Sequence, residues 1–453
     1  MTVARTLKDA YNAVNPVTPL PPHDPRYVNL TPVRGTDVVD SLFTGITWSD
    51  SPMTQLITGH RGCGKSTELL RLRARLEQAG YVVLYFEADD DLDLNDLEYT
   101  DLLLTIARRL VSDLHQQGLQ LRPTLLEAVE TWFSETLYTQ EERRDVEREL
   151  GAEARLGLGL PDGLPLVAYL MARVTNQIKT GRTVKREIRR KLDPQVSQLI
   201  GNLNLLLKDA DVKIRQQKKQ GLVLLVDNLD RIIYRDLGDR RTTHTALYVE
   251  HGEQLCDLDC YTVYTVPISL MYSDCASVVR GIFPRHHVLP MIKWHNPDNT
   301  LANQGLAYLR SMLSARLDVD ELCTPEAVDY LCQASGGHPR DLMILARQAC
   351  EYAPRDIWPR PITLPVAQRA EADLVADYSR MIPEEHYPLL ARVYLTKEVR
   401  SDEAHELMLY NLTVLEYING MPPWHDIHPV VLKLPKFQAA LAAERNKLGL
   451  VKP

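Results

Sequence analysis

Short apolar runs bounded by polar or turn-forming residues recur in the first two thirds of the chain. Each run is too short for a buried helix and carries the β-branched and aromatic residues that favour strands. The five runs are Gln55–Thr58, Tyr81–Phe86, Leu222–Val226, Tyr261–Ile268 and His287–Ile292. Helical patterns separate them, and strands that alternate with helices pair in parallel and are covered on both faces. We therefore predict an α/β fold around a parallel sheet.

Helical periodicity dominates two other parts of the chain. Residues 118–215 have helical patterns with charged faces, which predicts a helical insertion within the sheet region. Beyond residue 300, a leucine stripe at helical spacing precedes a helix at 325–334 and another that begins at Pro339. The stripe consists of Leu306, Leu309, Leu313 and Leu317. We interpret this leucine stripe as the buried face of a helical core.

The C-terminal part follows a proline-rich linker at 354–365 and contains three predicted helices. Asn419-Gly420 lies between two short apolar segments and is typical of a two-residue hairpin turn. Three helices and a two-stranded hairpin form the outline of a winged helix. Its recognition helix would be Asp402–Leu409, which is acidic, so we expect this domain to face a protein rather than DNA.

Composition and charge narrow the possible partners and compartment. The chain has 453 residues, a formal net charge of −8 and seven scattered cysteines. This charge gives no global attraction to nucleic acid, so such contact needs a local basic patch. Scattered cysteines are typical of buried thiols in a reducing compartment, and no apolar run reaches the roughly 18 residues of a membrane span. We expect a soluble, cytoplasmic protein without membrane contact.

The segment 59–66 reads Gly-His-Arg-Gly-Cys-Gly-Lys-Ser and matches the phosphate-binding P-loop pattern at every fixed position. It lies between a predicted strand and a predicted helix, as the motif requires. Glycines let backbone N–H groups surround phosphates, Lys65 reaches the outer phosphates, and Ser66 offers a hydroxyl to magnesium. We predict ATP or a close relative as the ligand, together with Mg²⁺. The predicted nucleotide contacts are Gly59, His60, Arg61, Gly62, Cys63, Gly64, Lys65, Ser66 and Thr67.

An acidic residue, Asp227, directly follows the apolar run Leu222–Val226. In P-loop proteins, an acid at the end of a hydrophobic strand holds magnesium and its water shell. We therefore predict Asp227 as a magnesium residue beside Ser66, and as a catalytic residue.

The order of these features resembles the AAA+ and STAND ATPases, with origin-recognition-type initiators and STAND signalling or defence ATPases as the nearest outlines. The resemblance covers residues 27–350 well and residues 366–435 more loosely. It implies an N-terminal arm, a P-loop ATPase core with a helical insertion, a helical lid and a winged-helix-like domain. The corresponding ranges are 1–50 for the arm, 51–117 and 216–296 for the core, 118–215 for the insertion, 297–355 for the lid and 356–453 for the last domain.

The resemblance also implies roles for two arginines. The lid motif Gly336-Gly337-His338-Pro339-Arg340-Asp341-Leu342 resembles both the Gly-x-Pro motif of STAND proteins and the sensor-2 segment of initiators. Arg340 would then reach the γ-phosphate from the lid. Arg285 occupies the place of an arginine finger that serves a neighbouring subunit, with Arg280 as its rival.

Three further positions carry weaker implications of the same resemblance. The strand Tyr261–Ile268 occupies the place of the polar sensor, which would be Thr265 within it or Ser269 directly after it. Tyr27-Val28 and Val33-Arg34-Gly35 fall where these families bind adenine.

One residue departs from the family pattern. The residue after the magnesium acid is usually Glu or Asp and orients the attacking water, but here it is Asn228, whose amide cannot accept a proton. Asp230, one helical turn on, or an acid from Glu87–Asp91 is the candidate replacement. The departure predicts slow hydrolysis and leaves nucleotide binding unaffected.

A basic run, Arg173–Lys191, is the predicted site for nucleic acid, if any is bound. It has eight basic residues and one acid, and Lys185, Arg186, Arg189 and Arg190 would share one helical face. The alternative is a solvated helix balanced by the acids at 141–153.

The sequence thus predicts a slow, magnesium-dependent ATPase that acts as a regulatory or assembly switch, in defence or in DNA transactions. A protein partner or self-assembly would provide its output. The alternative is a protein-interaction scaffold that holds ATP without hydrolysing it.

Overall fold

The computed structural model describes most of the chain. The described residues are 3–139, 144, 148, 165–418 and 423–447.

A large sheet and two small hairpins contain the nine strands of this part of the chain. The strands are β1 (Thr54–Thr58), β2 (Val82–Glu87), β3 (Leu222–Asp227), β4 (Asp236–Gly238), β5 (Arg241–Thr242), β6 (Tyr261–Val266), β7 (Arg285–Val288), β8 (Val414–Tyr417) and β9 (Trp424–Ile427). The large sheet has the order β2-β3-β6-β1-β7, and every neighbouring pair is parallel. Every residue of β1 and β3 is buried. The predicted α/β fold around a parallel sheet is confirmed.

The last strand of this sheet lies earlier than predicted. Arg285, expected just before the strand, is its first residue, and the strand ends at Val288 rather than at Ile292. The backbone then leaves the sheet, because the N–H of Ile292 donates to the carbonyl oxygen of Gly337 at 3.1 Å. The predicted boundary was wrong because part of this apolar run contacts the lid instead of a strand.

Helices account for most of the remaining described residues. The α-helices are α1 (Leu7–Ala13), α2 (Thr31–Arg34), α3 (Val38–Thr47), α4 (Lys65–Gln78), α5 (Ala88–Asp91), α6 (Tyr99–Gln116), α7 (Pro123–Leu137), α8 (Leu166–Thr180), α9 (Arg182–Leu192), α10 (Val196–Gln216), α11 (Thr243–Thr245), α12 (Gly252–Cys256), α13 (Ala276–Ile282), α14 (Asn303–Ser314), α15 (Val319–Leu322), α16 (Pro325–Ala334), α17 (Pro339–Tyr352), α18 (Leu364–Met381), α19 (His386–Thr396), α20 (Glu403–Tyr410) and α21 (Pro435–Lys447). Short 3₁₀ segments lie at Asp193–Gln195, Leu229–Arg231, Ile268–Tyr272 and Pro429–Lys433, and a π-helical turn lies at Ala246–Glu250.

Two hydrophobic cores cover the two faces of the large sheet. Neighbouring residues of a strand point to opposite faces, and Val223 and Leu224 of β3 belong to different cores. Leu224 shares its core with Leu103 of α6 and with the insertion helices. Val223 packs with Leu42 of α3 and Leu69 of α4. The insertion therefore covers one face, and the P-loop helix covers the other.

A third core joins the lid, the C-terminal helices and the start of the chain. It contains Leu309 of α14, Leu345 of α17, Leu390 of α19 and Leu7 of α1. The lid and the C-terminal part thus pack together, although a proline-rich segment connects them.

The C-terminal part has the element order expected of a winged helix. Helices α18, α19 and α20 precede the antiparallel hairpin of β8 and β9, in which Val414 pairs with Ile427. The predicted turn at Asn419-Gly420 lies outside the described residues. Among the described helices, none combines the length and the hydropathy that a bilayer span requires.

Candidate nucleotide-binding site

The P-loop connects the end of β1 to the first turn of α4. Gly59, Gly62 and Gly64 have φ angles of +148°, +84° and +110°, a region that only glycine adopts freely. A Cβ atom on Gly59 would lie 2.5 Å from the carbonyl oxygen of Leu289. Because α4 begins at Lys65, its first unpaired N–H groups adjoin the loop. The loop therefore has the backbone shape and the helix terminus that bind phosphate.

The Lys65 side chain is buried within this loop. Its Nζ donates to the carbonyl oxygens of Gly59 at 2.7 Å and His60 at 2.9 Å, and it lies 2.9 Å from Oδ2 of Asp230. Burial lowers the pKa of Lys65, but Asp230 and nearby groups outweigh burial, so the pKa remains above its ordinary value. The lysine is thus charged, held at the loop and paired with Asp230.

Asp227 and Ser66 lie together where β3 ends beside α4. The Asp227 carboxylate accepts hydrogen bonds from the hydroxyls of Tyr85 (3.0 Å) and Ser66, and from the N–H of Asn228 (2.7 Å). Asp227 makes no ion pair with any described residue, and burial, together with Asp230, raises its pKa to about 6. A buried carboxylate beside a hydroxyl is an oxygen donor set that suits a divalent magnesium ion.

Asn228 has a left-handed backbone, with φ of +64°, and its side chain joins two carboxylates. Its Nδ2 donates to Oε2 of Glu87 at 2.8 Å and to Oδ1 of Asp89 at 2.7 Å. Both amide hydrogens are therefore used. Because an amide nitrogen has no proton-accepting lone pair, this arrangement does not make Asn228 a base.

The P-loop forms one wall of a cavity of about 520 Å³, a volume within the range of small-molecule sites. The N-terminal arm and the lid form much of the rest of its lining. Lining residues from these two parts include Leu20, Tyr27, Val28, Arg34, Arg316, Arg340 and Met343. Of the positions that the resemblance assigned to adenine, Tyr27, Val28 and Arg34 line this cavity, whereas Val33 and Gly35 line another.

The arm contacts the P-loop directly. Nη2 of Arg34 donates to the carbonyl oxygen of Cys63 at 2.5 Å, and the N–H of Leu20 donates to Oγ1 of Thr67 at 3.2 Å. Arg34 is almost fully buried and has no carboxylate partner among the described residues, and burial lowers its pKa. A second cation that lines the cavity, Arg316, comes from the lid range and donates to the carbonyl oxygen of Arg26 in the arm at 3.2 Å. No motif surrounds Arg316 in the sequence, so it was not predicted.

The lid contacts the opposite side of the loop through the predicted motif. A Cβ atom placed on Gly62 would lie 2.7 Å from Cβ of Arg340, so this arginine packs against the loop. Arg340 makes no side-chain hydrogen bond or ion pair with other described residues, and burial lowers its pKa. His338 donates from Nε2 to the carbonyl oxygen of Arg61 at 2.6 Å, with Nδ1 3.0 Å from Oδ2 of Asp341.

The C-terminal part contacts the second and third residues of the loop. His60 is buried; its Nδ1 donates to the carbonyl oxygen of Leu409 at 3.2 Å, and its Nε2 accepts from the N–H of Glu416 at 2.8 Å. The Arg61 guanidinium lies 4.1 Å from the ring centre of Tyr410 and also donates to its hydroxyl. The side chains of these two predicted nucleotide contacts therefore bind α20 and β8.

Three other predicted positions lie away from the cavity. Arg285 is exposed at the start of β7, opposite Gln55, whereas the P-loop follows Thr58 at the other end of β1. Thr265 uses its Oγ1 to accept from the N–H of Leu229 at 2.9 Å, and Ser269 lies 3.4 Å from His244. These side chains do not line the described cavity.

Half of the predicted basic face is buried. Lys185 lies 3.2 Å from Asp93 and 3.0 Å from Asp96, and Arg189 pairs with Asp96, Glu98 and Asp101. These two cations of the predicted basic face are therefore not available to nucleic acid, because acids in residues 93–101 neutralise them. Most of the acids at 141–153 lie outside the described residues.

Two exposed arginines, Arg186 and Arg190, remain from the four-residue set. Neither makes an ion pair with a described residue. A basic patch at this site is thus smaller than the sequence predicted.

Sequence comparisons found no relatives: no protein-family model and no curated protein matches this chain. Structure comparisons found solved proteins that are similar over nearly the whole length. The ORC2 protein of Aeropyrum pernix, in ADPNP–ADP complexes, has 12% identity and a TM-score of 0.41, over 97% of this chain and 98% of that chain. The ORC1 protein of the same organism, in complex with DNA, has 14% identity and a TM-score of 0.40, over 97% and 98%. Cdc6p from Pyrobaculum aerophilum has 11% identity and a TM-score of 0.38, over 96% and 98%.

Proposed function

We propose that the chain binds ATP with magnesium and acts as a nucleotide-dependent regulatory or assembly switch that hydrolyses ATP slowly. The observation that carries this proposal is the arrangement of Lys65, Ser66 and Asp227 around one glycine-rich loop that borders a ligand-sized cavity. A positive charge, a helix terminus and a magnesium donor set are together the requirements of a nucleoside triphosphate site.

Each part of the site has a role in this proposal. The backbone of residues 59–67 surrounds the phosphates, Lys65 exchanges Asp230 for an outer phosphate, and Arg340 approaches the γ-phosphate from the lid. Ser66 and Asp227 would hold magnesium, which supplies charge neutralisation at the phosphate oxygens. The arm side of the cavity, near Tyr27 and Arg34, is left for the base and sugar.

The contacts between the P-loop and the C-terminal part support the switch. Because His60 and Arg61 belong to the phosphate-binding loop and also bind α20 and β8, any movement of the loop changes these contacts. Packed interfaces of this kind shift between discrete states rather than deform continuously. Nucleotide binding would thus alter the docking of the C-terminal part.

Exposed arginines indicate where partners of this chain would bind. We propose self-assembly in which Arg285 serves the site of a neighbouring copy, since it is exposed and lies away from its own cavity. Nucleic acid, if bound, would contact the exposed pair Arg186 and Arg190, a smaller patch than the sequence predicted.

A thermal-shift series tests the binding proposal. The parent protein is heated with ATP, ADP or GTP, each in magnesium and in EDTA. We expect the largest rise in melting temperature with ATP and magnesium, the proposed ligand. A ligand at 100 times its Kd stabilises the folded state by about 2.7 kcal/mol, which is enough to measure. No rise with any nucleotide would contradict the proposal.

Hydrogen exchange tests the switch. We expect ATP with magnesium to change the exchange of residues 403–417, which contact the P-loop, and ADP to have a different effect. Nucleotide binding without any change in this segment would favour the alternative scaffold, in which ATP is only a structural ligand.

A further inference from the structure

We propose that Glu87, at the end of β2, is the catalytic residue that accepts the proton of the attacking water, and that Asn228 is its positioning residue. The inference rests on the proposed function, because it needs ATP in the cavity. Glu87, on the neighbouring strand, would thus take the role of the acid that is missing after Asp227.

The carboxylates that line the cavity differ in what they already bind. They are Glu68, Glu87 and Asp230. Glu68 lies 2.6 Å from Arg71, and Asp230 lies 2.9 Å from Lys65. Among the described residues, Glu87 has no cationic partner; its Oε2 accepts from Asn228 at 2.8 Å, and its Oε1 lies 3.5 Å from the Tyr85 hydroxyl. Glu87 is therefore the lining carboxylate that is free of a counter-charge and able to take a proton.

The strand register places Glu87 beside the magnesium acid. β2 and β3 are parallel neighbours, and Glu87 is the partner of Asp227 in their register. The two carboxylates thus leave the sheet at the same edge, next to the P-loop. Glu87 is half-buried and lines the cavity, so its carboxylate is shielded from bulk water on one side and faces the ligand space on the other.

Asn228 fixes the orientation of this carboxylate. One amide hydrogen binds Glu87, and the other binds Asp89, which is also paired with Arg231. The left-handed backbone of Asn228, which asparagine tolerates better than most residues, sets the direction of its side chain. Asn228 therefore holds Glu87 without competing for the proton.

The proposed step is hydrolysis of the γ-phosphate of ATP. A water oxygen attacks the γ-phosphorus, one water proton passes to the Glu87 carboxylate, and the bond from the γ-phosphorus to the bridging oxygen of the β-phosphate breaks. The products are ADP and inorganic phosphate, and Glu87 then releases the proton to solvent. A positioned base contributes typically 10²–10⁴-fold to such a rate.

The decisive variant is Glu87→Gln, with Asp89→Asn as its matched control. Both changes neutralise an acceptor of the same Asn228 amide and keep its shape, but only Glu87 lines the cavity. We expect Glu87→Gln to lower single-turnover hydrolysis by roughly 10²–10⁴-fold while its calorimetric affinity for ATP and magnesium stays near that of the parent. Nucleotide extracted after incubation with ATP should be ATP for Glu87→Gln and ADP for the parent and for Asp89→Asn.

Asn228→Ala tests the positioning role. We expect kcat to fall with little change in KM, and Asn228→Gln, which keeps the amide, to recover part of the loss.

Other results would overturn the inference. If Glu87→Gln hydrolyses ATP as fast as the parent, another group accepts the proton. If, in addition, Asp230→Asn loses hydrolysis, that group is Asp230. An equal loss in Glu87→Gln and Asp89→Asn shows that only the Asn228 network matters. If the parent binds ATP but does not hydrolyse it, this inference fails while nucleotide binding stands; if the parent binds no nucleotide, the proposed function fails as well.

Discussion

The buried pair of Lys65 and Asp230 makes a quantitative prediction for the nucleotide-free protein. The side chains are 4% and 7% exposed and lie 2.9 Å apart. At that distance the attraction is about 6 kcal/mol at an effective dielectric constant of about 20, and desolvation offsets much of it. Removing one charge loses the attraction and leaves the other charge buried. Lys65→Met should therefore destabilise the protein by about 3–5 kcal/mol.

A double-mutant cycle separates the pair from the rest of the loop. Asp230→Asn should lower the free energy of unfolding by less, about 1–3 kcal/mol. The new amide oxygen can still accept from Lys65, and Lys65 keeps its hydrogen bonds to two carbonyl oxygens. The double variant Lys65→Met/Asp230→Asn leaves no buried charge at this position and should lie within about 1–2 kcal/mol of the parent.

Urea unfolding in EDTA, followed by far-UV circular dichroism, measures all four proteins. The double variant should be more stable than Lys65→Met. A free energy of unfolding for Lys65→Met within about 0.5 kcal/mol of the parent value, or no recovery of stability in the double variant, would contradict this account of the ion pair.

Further predictions concern the C-terminal helix α20, the basic patch and assembly. Burial and neighbouring carboxylates raise the pKa of Glu406 from 4.5 to about 7, so the folded state binds more protons in this window and the free energy of unfolding should fall as pH rises through it. In urea titrations at pH 5 and pH 8, the free energy of unfolding of Glu406→Gln should therefore fall less between the two pH values than that of the parent. Arg186→Glu/Arg190→Glu should weaken any DNA or RNA binding and reduce its salt slope by about two in fluorescence anisotropy; an unchanged slope excludes the patch. Mixing Arg285→Ala with Lys65→Met/Asp230→Asn should restore some ATP hydrolysis if Arg285 acts in a neighbouring copy, and a concentration-independent rate without rescue contradicts this.

Local patterns predicted the sheet and the P-loop because their causes are local. A buried parallel strand needs a continuous apolar run, and the loop needs its three glycines within six residues, so Gly59, Gly62 and Gly64 were visible in the sequence. Asp227 was visible for the same reason, since it ends such a run.

Contacts between distant segments were not visible. The burial of Lys185 and Arg189 depends on acids about ninety residues earlier in the chain, and no spacing rule connects the two segments. The sequence also raised Asp230 and the acids from Glu87 to Asp91 equally as replacements for the missing base. Three structural observations distinguish them: the register of β2 on β3, the place of Glu87 in the cavity lining, and the ion pair of Lys65 with Asp230.

The most direct test of nucleotide binding is calorimetric titration of ATP with magnesium into the parent, Asp230→Asn and Lys65→Met/Asp230→Asn. The parent should bind, and Asp230→Asn should bind at least as tightly, because a phosphate replaces the carboxylate that held Lys65. The double variant should bind roughly 10–100-fold more weakly, since charge-assisted hydrogen bonds contribute about 1.5–3 kcal/mol. Equal affinity of the double variant and Asp230→Asn, or no binding to the parent, would contradict the assignment of this P-loop as a nucleotide site.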